Sequence, residues 1–324
     1  MRTSKTVIKL REEPQLRSPA LIAAWPGMGY VATGAAGYLK DALQAKELGD
    51  LTSFEFFEPT GVVVERGAVR APRPPRNKFY FWRNPGHGND LIIFLGDVQP
   101  TTKGYQYANV ILDVAIKLGT SRIYTCAATP ASIHHREKPK VLAVPNHPNL
   151  NQLLSSYNVV LLEEGHIGGM NGLLIGAARA RRIEGVCLLG EIPYYAVGIP
   201  NPKASKAVLQ VLSKMLDIEV DLSDLDFLAK QTEDELEQLA RSSEQMAQLV
   251  ASLEFEEDGL EDEVEGVERS LEEEFKMRRR LERLFRQAER DRSKITELKV
   301  ELDRSGLFQE YEDRFLNLFR KGNQ

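Results

Sequence analysis

Cysteine, histidine and long apolar runs are scarce in this sequence of 324 residues. Its two cysteines, Cys126 and Cys187, lie in strand-like runs, which is typical of buried structural thiols rather than redox or metal sites. No apolar stretch approaches the roughly 20 residues that a membrane span needs, and the start "MRTSKTVIKLREE" lacks the apolar core of a signal peptide. We therefore expect a cytoplasmic protein with no membrane contact.

The charge is unevenly distributed along the chain. The net charge of −5 is unfavourable for a nucleic-acid partner, and we expect none. Residues 1–226 carry 25 Lys and Arg against 21 Asp and Glu, whereas residues 227–324 carry 17 against 26. This contrast predicts two regions, an α/β domain over 1–226 and a charged helical extension over 227–324.

Short apolar runs alternate with helical patterns up to about residue 226, which is typical of an α/β fold. Helices are expected near 29–46, 104–118, 148–156, 171–182 and 203–217. Strands are predicted at "TVIKL", "ALIAAW", "SFEFF", "GVVVERG", "KFYFW", "DLIIFLG", "RIYTCAA", "NVVLLE" and "GVCLLGE". The segment "ERGAVRAPRPPRNK" should be an exposed extended loop.

Beyond residue 226 the sequence predicts two or three amphipathic helices. Their apolar stripe includes Leu281, Leu284, Ala288, Ile295, Leu298 and Leu302. With so few heptads, a helical hairpin within one chain and a coiled coil between chains are both possible.

The stretch "AAWPGMGYVATGAAGYL" contains a formal nucleotide-binding pattern. Gly27, Gly29 and Ala32 match G-x-G-x-x-A after an apolar run. Pro26 removes a backbone N–H, however, and the strand-like "TVIKL" precedes the glycine turn. A dinucleotide loop, a general anion site at the helix N-terminus and a purely conformational turn remain as alternatives, and the turn is favoured.

Gly- and Pro-rich turns follow five of the predicted strands. In an open parallel sheet the carboxyl ends of the strands share one edge, so these turns should converge on a crevice there. The candidate residues of this crevice are Pro26, Gly27, Met28, Gly29, Asp97, Gln99, Thr129, Glu164, Asn171, Glu191 and Tyr194.

Recognisable catalytic and metal-binding patterns are missing. The adjacent His134 and His135 of "HHREKPK" have neither the i,i+4 spacing nor the paired cysteines of a zinc site. No G-x-S-x-G elbow and no G-x-x-x-x-G-K-[ST] loop occurs. We therefore predict no metal, no cofactor and no assignable catalytic residue.

Several ordered motifs together resemble the proteasome assembly chaperone family of the second-chaperone type. They are "LIAAWPGMGYVATGAAGYL", "FLGDVQPT", "GGMNGLLIGAARARRIEGVCLLGEIPYY" and "NPKASKAVLQVLSKMLDIEVDLSDL". The resemblance implies a three-layer α/β/α sandwich with a mostly parallel sheet, similar to the phosphorylase/hydrolase fold. It also implies homo-oligomers and proteasome-related protein partners.

Two further properties of such proteins bear on this chain. Some members carry a C-terminal hydrophobic–Tyr–any tail, but Asn323 stands at the Tyr position here, so we do not expect that docking mode. Members are also catalogued with the ATP-grasp enzymes, for which Glu163, Glu164 and Glu191 are the only candidate metal-binding carboxylates.

The leading hypothesis is a non-enzymatic assembly chaperone or scaffold-like protein that is homo-oligomeric and acts through protein–protein contacts. The alternative is a small-molecule-binding protein or an enzyme, either an ATP-grasp-type ligase or a phosphorylase-like protein, that uses the crevice at the strand ends.

Overall fold

The computed structural model describes residues 6–59, 61–86, 88–254, 284 and 294–304, with the backbone alone for 239–254, 295, 296 and 303. Contacts divide the chain into two units, Met1–Leu239 and Ala240–Gln324. No helix among these residues is both long enough and apolar enough to span a bilayer.

A nine-stranded mixed sheet forms the centre of the first unit. The strands, in chain order, are β1 (Val7–Leu10), β2 (Ala20–Ala24), β3 (Lys46–Thr52), β4 (Val64–Glu65), β5 (Ala68–Val69), β6 (Asn77–Trp82), β7 (Leu91–Leu95), β8 (Arg122–Ala131), β9 (Val141–Pro145), β10 (Val160–Leu161) and β11 (Glu184–Pro193). Their order across the sheet is β1-β3-β6-β7-β2-β8-β11-β9-β10, while β4 and β5 form a separate ribbon.

Parallel pairing is concentrated at the centre of the sheet. Strands β7, β2, β8 and β11 run parallel, as do β9 and β10. The remaining pairs, β1–β3, β3–β6, β6–β7 and β11–β9, are antiparallel. The parallel sheet predicted from the apolar runs therefore occupies the centre, and antiparallel strands extend it on both sides.

Helices cover both faces of the sheet. They are α1 (Val31–Ala42), α2 (Gly104–Lys117), α3 (Leu150–Leu154), α4 (Gly169–Ala180), α5 (Pro202–Leu216), α6 (Ser223–Glu254) and α7 (Ile295–Arg304). Alternate residues of β2 enter opposite cores: Ile22 packs on the side of α1, α3 and α5, and Leu21 packs on the side of α2 and α4. A strand buried on both faces reads as a continuous apolar run, which is why "ALIAAW" was recognisable. The predicted α/β fold with helices on both sides is confirmed.

Several strand predictions need correction. The segment "SFEFF" is a bend that follows β3, because Phe56 and Phe57 both pack against Tyr107 and successive strand residues would point to opposite faces. Only Val64–Glu65 of "GVVVERG" is a strand. Of "NVVLLE", only Val160–Leu161 is a strand. Strands β3, β5 and β9 were not predicted; the last of these ends in Pro145. The Pro-rich segment is exposed, as expected.

In the second unit, Leu284, Leu298 and Leu302 are buried within a single chain. Leu281, Ala288 and Asn323 lie outside the described residues.

Candidate binding surface at the strand ends

The carboxyl ends of the four central parallel strands share one edge of the sheet. Ala24 at the end of β2 is opposite Leu95 at the end of β7, and Glu191 of β11 is opposite Thr129 of β8. The loops that follow β7, β2, β8 and β11 therefore start at the same edge. The fifth predicted turn follows β10, which runs antiparallel to these strands, so that turn does not start at this edge.

The glycine turn after β2 is held by its own backbone and by the segment before α5. The Gly29 N–H donates to the Val197 carbonyl at 2.8 Å, and the Tyr30 N–H donates to the Gly27 carbonyl at 2.9 Å. The Val31 N–H donates to the Met28 carbonyl. These three consecutive donors are thus bonded to protein groups rather than directed at an anion.

Topology also distinguishes this turn from a dinucleotide site. In a Rossmann half, the strand after the first helix lies beside the glycine strand. Here the strand after α1 is β3, and β6 and β7 lie between it and β2. Gly29 has φ +60°, and a Cβ there would lie 3.3 Å from the Asn201 Cβ. The formal G-x-G-x-x-A match therefore reflects a conformational turn.

Trp25 forms a buried aromatic base directly beneath this turn. Its ring centroid lies 5.3 Å from that of Phe94 and 6.3 Å from that of Tyr107. A Cβ at Gly96 would come within 2.3 Å of the Trp25 indole, so the glycine of "FLGDVQPT" is required for this packing. Burial raises the pKa of the Tyr107 phenol, which therefore stays neutral at physiological pH.

Two candidate side chains, Asn171 and Gln99, connect the turn to α4. Asn171 is buried, and its side-chain amide pairs with both backbone polar groups of Trp25. The backbone carbonyl of Asn171 accepts a hydrogen bond from Thr125 Oγ1 at 2.7 Å. Gln99 Nε2 donates to the Pro26 carbonyl at 2.8 Å, and Gln99 Oε1 accepts from the Met170 N–H at 2.9 Å. Both amides act here as structural connectors between loops.

The candidate acids are bonded to backbone amides or lie exposed. Asp97 accepts from the Arg76 N–H at 2.8 Å, which ties the Pro-rich loop to the end of β7. Glu191 accepts from the Lys140 N–H at 2.9 Å. Glu164 is exposed, and Thr129 is partly buried on β8. Glu164 follows β10, which runs antiparallel to the four central strands. The polar groups of Asn171, Gln99, Asp97 and Glu191 mainly stabilise the loops.

Large apolar side chains are exposed around the same turn. We call this set the strand-end surface; its members are Met28, Tyr30, Tyr194, Tyr195 and Val197. The bond between Gly29 and Val197 joins the two segments that carry them. Exposed apolar clusters of this kind mark sites of protein contact.

Asn201 is a residue of this edge that the sequence reasoning missed. Its side chain caps α5 by accepting from the Ala204 N–H at 2.9 Å, and its own N–H donates to the Gly29 carbonyl at 2.8 Å. The signal was available, because Asn followed by Pro is a typical helix start.

Comparisons with known proteins agree with this architecture. A model described as the PAC2 family matches residues 21–240, which is about two thirds of the chain. The chain belongs to the PAC2 family. All eleven crevice candidates lie within the matched residues, and the predicted resemblance to proteasome assembly chaperones is confirmed.

Relatives of this PAC2 protein include archaeal proteins shorter than this chain. A solved structure of Pyrococcus furiosus PbaB, an archaeal proteasome activator, is 33% identical with a TM-score of 0.64, and the match covers 72% of this chain and 98% of PbaB. Pyrococcus furiosus PbaA, an archaeal homologue of proteasome-assembly chaperone, is 27% identical with a TM-score of 0.56 over 77% of this chain and 96% of PbaA. An uncharacterised protein of Methanocaldococcus jannaschii is 28% identical over 241 residues, which is 74% of this chain and 89% of that protein.

Proposed function

We propose that this PAC2 protein is a chaperone-like or scaffold protein that binds proteasome-related subunits through its strand-end surface and is itself homo-oligomeric. The observation that carries the proposal is the exposure of large apolar side chains at this edge, where Tyr194 is 65% exposed. The polar groups beneath that surface are bonded within the chain. Such an arrangement suits protein contact better than chemistry on a small molecule.

Similarity to PbaB and PbaA supports the choice of partner, since one is described as a proteasome activator and the other as a homologue of a proteasome-assembly chaperone. A cytoplasmic location and a division into domains 1–226 and 227–324 are parts of the same proposal.

The alternative is a ligand-binding or enzymatic crevice at the strand ends. A groove of about 760 Å³ lies under the Pro-rich loop, and of the eleven candidates Gln99 alone lines it. Thermal-shift measurements with nucleotides, nucleosides and phosphate test this alternative, because a ligand of the folded state raises its melting temperature. Saturable stabilisation by any of them would favour the alternative over the scaffold.

The scaffold proposal is tested by mixing the full chain with the proteasome α-subunit of the same organism and measuring mass by light scattering. We expect a complex with the α-subunit. For the protein alone, we expect the mass of an oligomer, at least twice the chain mass of 36.4 kDa. Either Met28→Glu or Tyr194→Glu places a charge on this surface and should lower the affinity of the complex at least tenfold. Ile116→Glu is the matched control, because Ile116 is also exposed but lies in the last turn of α2, away from the strand ends.

Two results would contradict the proposal. One is the absence of any complex with a folded wild-type protein. The other is equal weakening by the Ile116 control, which would mean that the strand-end surface is not the contact.

A further inference from the structure

The fold brings Glu237 to the histidine pair that the sequence left without a third ligand. His134 and His135 follow β8, and Glu237 belongs to α6, 102 residues further along the chain than His135. One possible ligand atom from each of the three side chains lies within 4.8 Å of the others. His135 is buried, which distinguishes the cluster from an ordinary exposed group of charges.

Tyr195 orients the imidazole of His135. The Tyr195 hydroxyl lies 3.0 Å from His135 Nδ1 and accepts the His135 backbone N–H at 2.9 Å. The opposite ring nitrogen, Nε2, then lies 3.3 Å from Glu237 Oε2. Histidines that bind metals usually donate their other ring N–H to an oxygen in this way, which fixes the ring and the tautomer.

The second imidazole lies beside the first. The ring centroids of His134 and His135 are 4.0 Å apart, with an angle of 34° between the planes. Lys203 Nζ donates to the His135 carbonyl at 2.8 Å and to the Glu137 carbonyl at 3.1 Å, which holds the loop in place. Two imidazole nitrogens and one carboxylate oxygen therefore lie close together on a fixed loop and a helix.

A cation already approaches the carboxylate. Arg136 Nη2 lies 3.2 Å from Glu237 Oε2, the same oxygen that faces His135. The Arg136 side chain is 57% exposed, so it can turn into solvent when a more highly charged ion replaces it.

We propose that His134, His135 and Glu237 bind a divalent transition-metal ion, for which Zn²⁺ is the best match, with water as the fourth ligand. Two nitrogens and one oxygen form a common Zn²⁺ ligand set, and bonds of about 2.0–2.1 Å place tetrahedral ligand atoms about 3.4 Å apart. The 3.3 Å between His135 Nε2 and Glu237 Oε2 already matches this distance, and the other separations, which are at most 4.8 Å, need to shorten by no more than about 1.4 Å, which side-chain rotation can supply. The ion joins the loop after β8 to α6, and this site does not depend on the proposed scaffold function.

The test is titration of the metal-free full chain with Zn²⁺ by calorimetry and with Co²⁺ by visible absorption, which reports tetrahedral coordination. We expect one saturable site, and at least a tenfold loss of affinity in His134→Ala and Glu237→Gln. Tyr195→Phe removes only the orienting hydroxyl and should weaken binding about tenfold, with a changed Co²⁺ spectrum. Arg136→Ala removes the competing cation, so it should tighten binding.

Matched controls are Glu235→Gln, an exposed carboxylate on the same helix, and His147→Ala, an exposed histidine bonded to Asn149. Both should bind as the wild type does. His134 is exposed, so its variant folds even if a substitution at Glu237 does not. Absence of saturable binding in the wild type, or equal affinity in His134→Ala, would overturn the proposal.

Discussion

Asn171 pairs with both backbone polar groups of Trp25 across 146 residues of chain. The Trp25 N–H donates to Asn171 Oδ1 at 3.1 Å, and Asn171 Nδ2 donates to the Trp25 carbonyl at 3.3 Å. Both residues are buried, so this pair joins the end of β2 to α4 without help from solvent.

Replacement of Asn171 by Ala should destabilise the protein by about 2–4 kcal/mol, because two buried backbone groups lose their partner. Chemical denaturation of the full chain measures this loss. Asn158→Ala, at an exposed position, should change the free energy of unfolding by less than about 0.5 kcal/mol. Equal effects at both positions would show that the Asn171–Trp25 pair contributes little.

Gly29→Ala should cost about 1–2 kcal/mol, because a Cβ is disfavoured at φ +60° and meets Asn201 and Val31 at 3.3 Å. Gly37 on α1 is the matched control, since a Cβ there meets nothing within 4 Å. Gly37→Ala should instead stabilise by up to about 1 kcal/mol through helix propensity. Melting temperatures of the two variants should therefore move in opposite directions, and a shift in the same direction would contradict the assigned turn.

The pair Arg122–Glu184 predicts a pH-dependent stability. The hydrogen bonds from Arg122 hold the pKa of the Glu184 carboxyl below its ordinary value. A carboxyl whose pKa is lower in the folded state stabilises that state above the unfolded pKa and loses this contribution as pH falls through the folded pKa. Glu184→Gln should therefore lower the free energy of unfolding at about pH 7, by at most about 1 kcal/mol because the pair is partly exposed. This difference should disappear as the pH falls below the folded pKa of Glu184.

The control for this pH dependence is Glu164→Gln, an exposed position on the loop before α4. A Glu184→Gln difference that stays constant from neutral to acidic pH would contradict the role of the ion pair.

Both cysteines should be unreactive in the native protein. Burial raises the pKa of the Cys187 thiol to about 12, and burial together with the nearby Cys187 raises that of Cys126. Because the thiolate is the reactive form, a disulfide reagent at about pH 8 should release no chromophore from folded protein and two equivalents after denaturation. Rapid native reaction of either thiol would show that its strand opens readily.

The apolar side chains of the second unit should pack within one chain rather than between subunits. Leu284 and Leu298 are buried in a single copy, so replacing both with Glu should reduce helicity by circular dichroism without lowering the mass seen by light scattering. A fall in mass would instead place these leucines between subunits.

Local patterns were sufficient for most elements of the first unit. All five predicted helices are present, with ends that differ by four residues or fewer, because each has an apolar face and a turn at its boundaries. The bend at Phe56 and Phe57 was misassigned as a strand because adjacent aromatic residues are common in strands. Their burial depends on packing against α2, which the local sequence does not show.

The candidate edge was predicted from the rule that parallel strands end together, which applies to β7, β2, β8 and β11 but not to β10. The roles of its polar side chains could not be predicted in the same way. Asn171 and Gln99 looked like ligand groups, yet they bond to backbone atoms 146 and 73 residues earlier in the chain. The partner of a polar side chain depends on which loops become neighbours.

The amino-acid sequence alone determined the α/β class and the glycine turn after β2, because both depend on residue type at short, regular spacing. Its ordered motifs resembled those of the family to which the chain belongs. Only the tertiary structure decided that the turn donates its N–H groups to protein rather than to a phosphate, and that Glu237 faces His135. Both outcomes follow from strand order and helix packing, which bring together residues too far apart in the chain for any local pattern to connect.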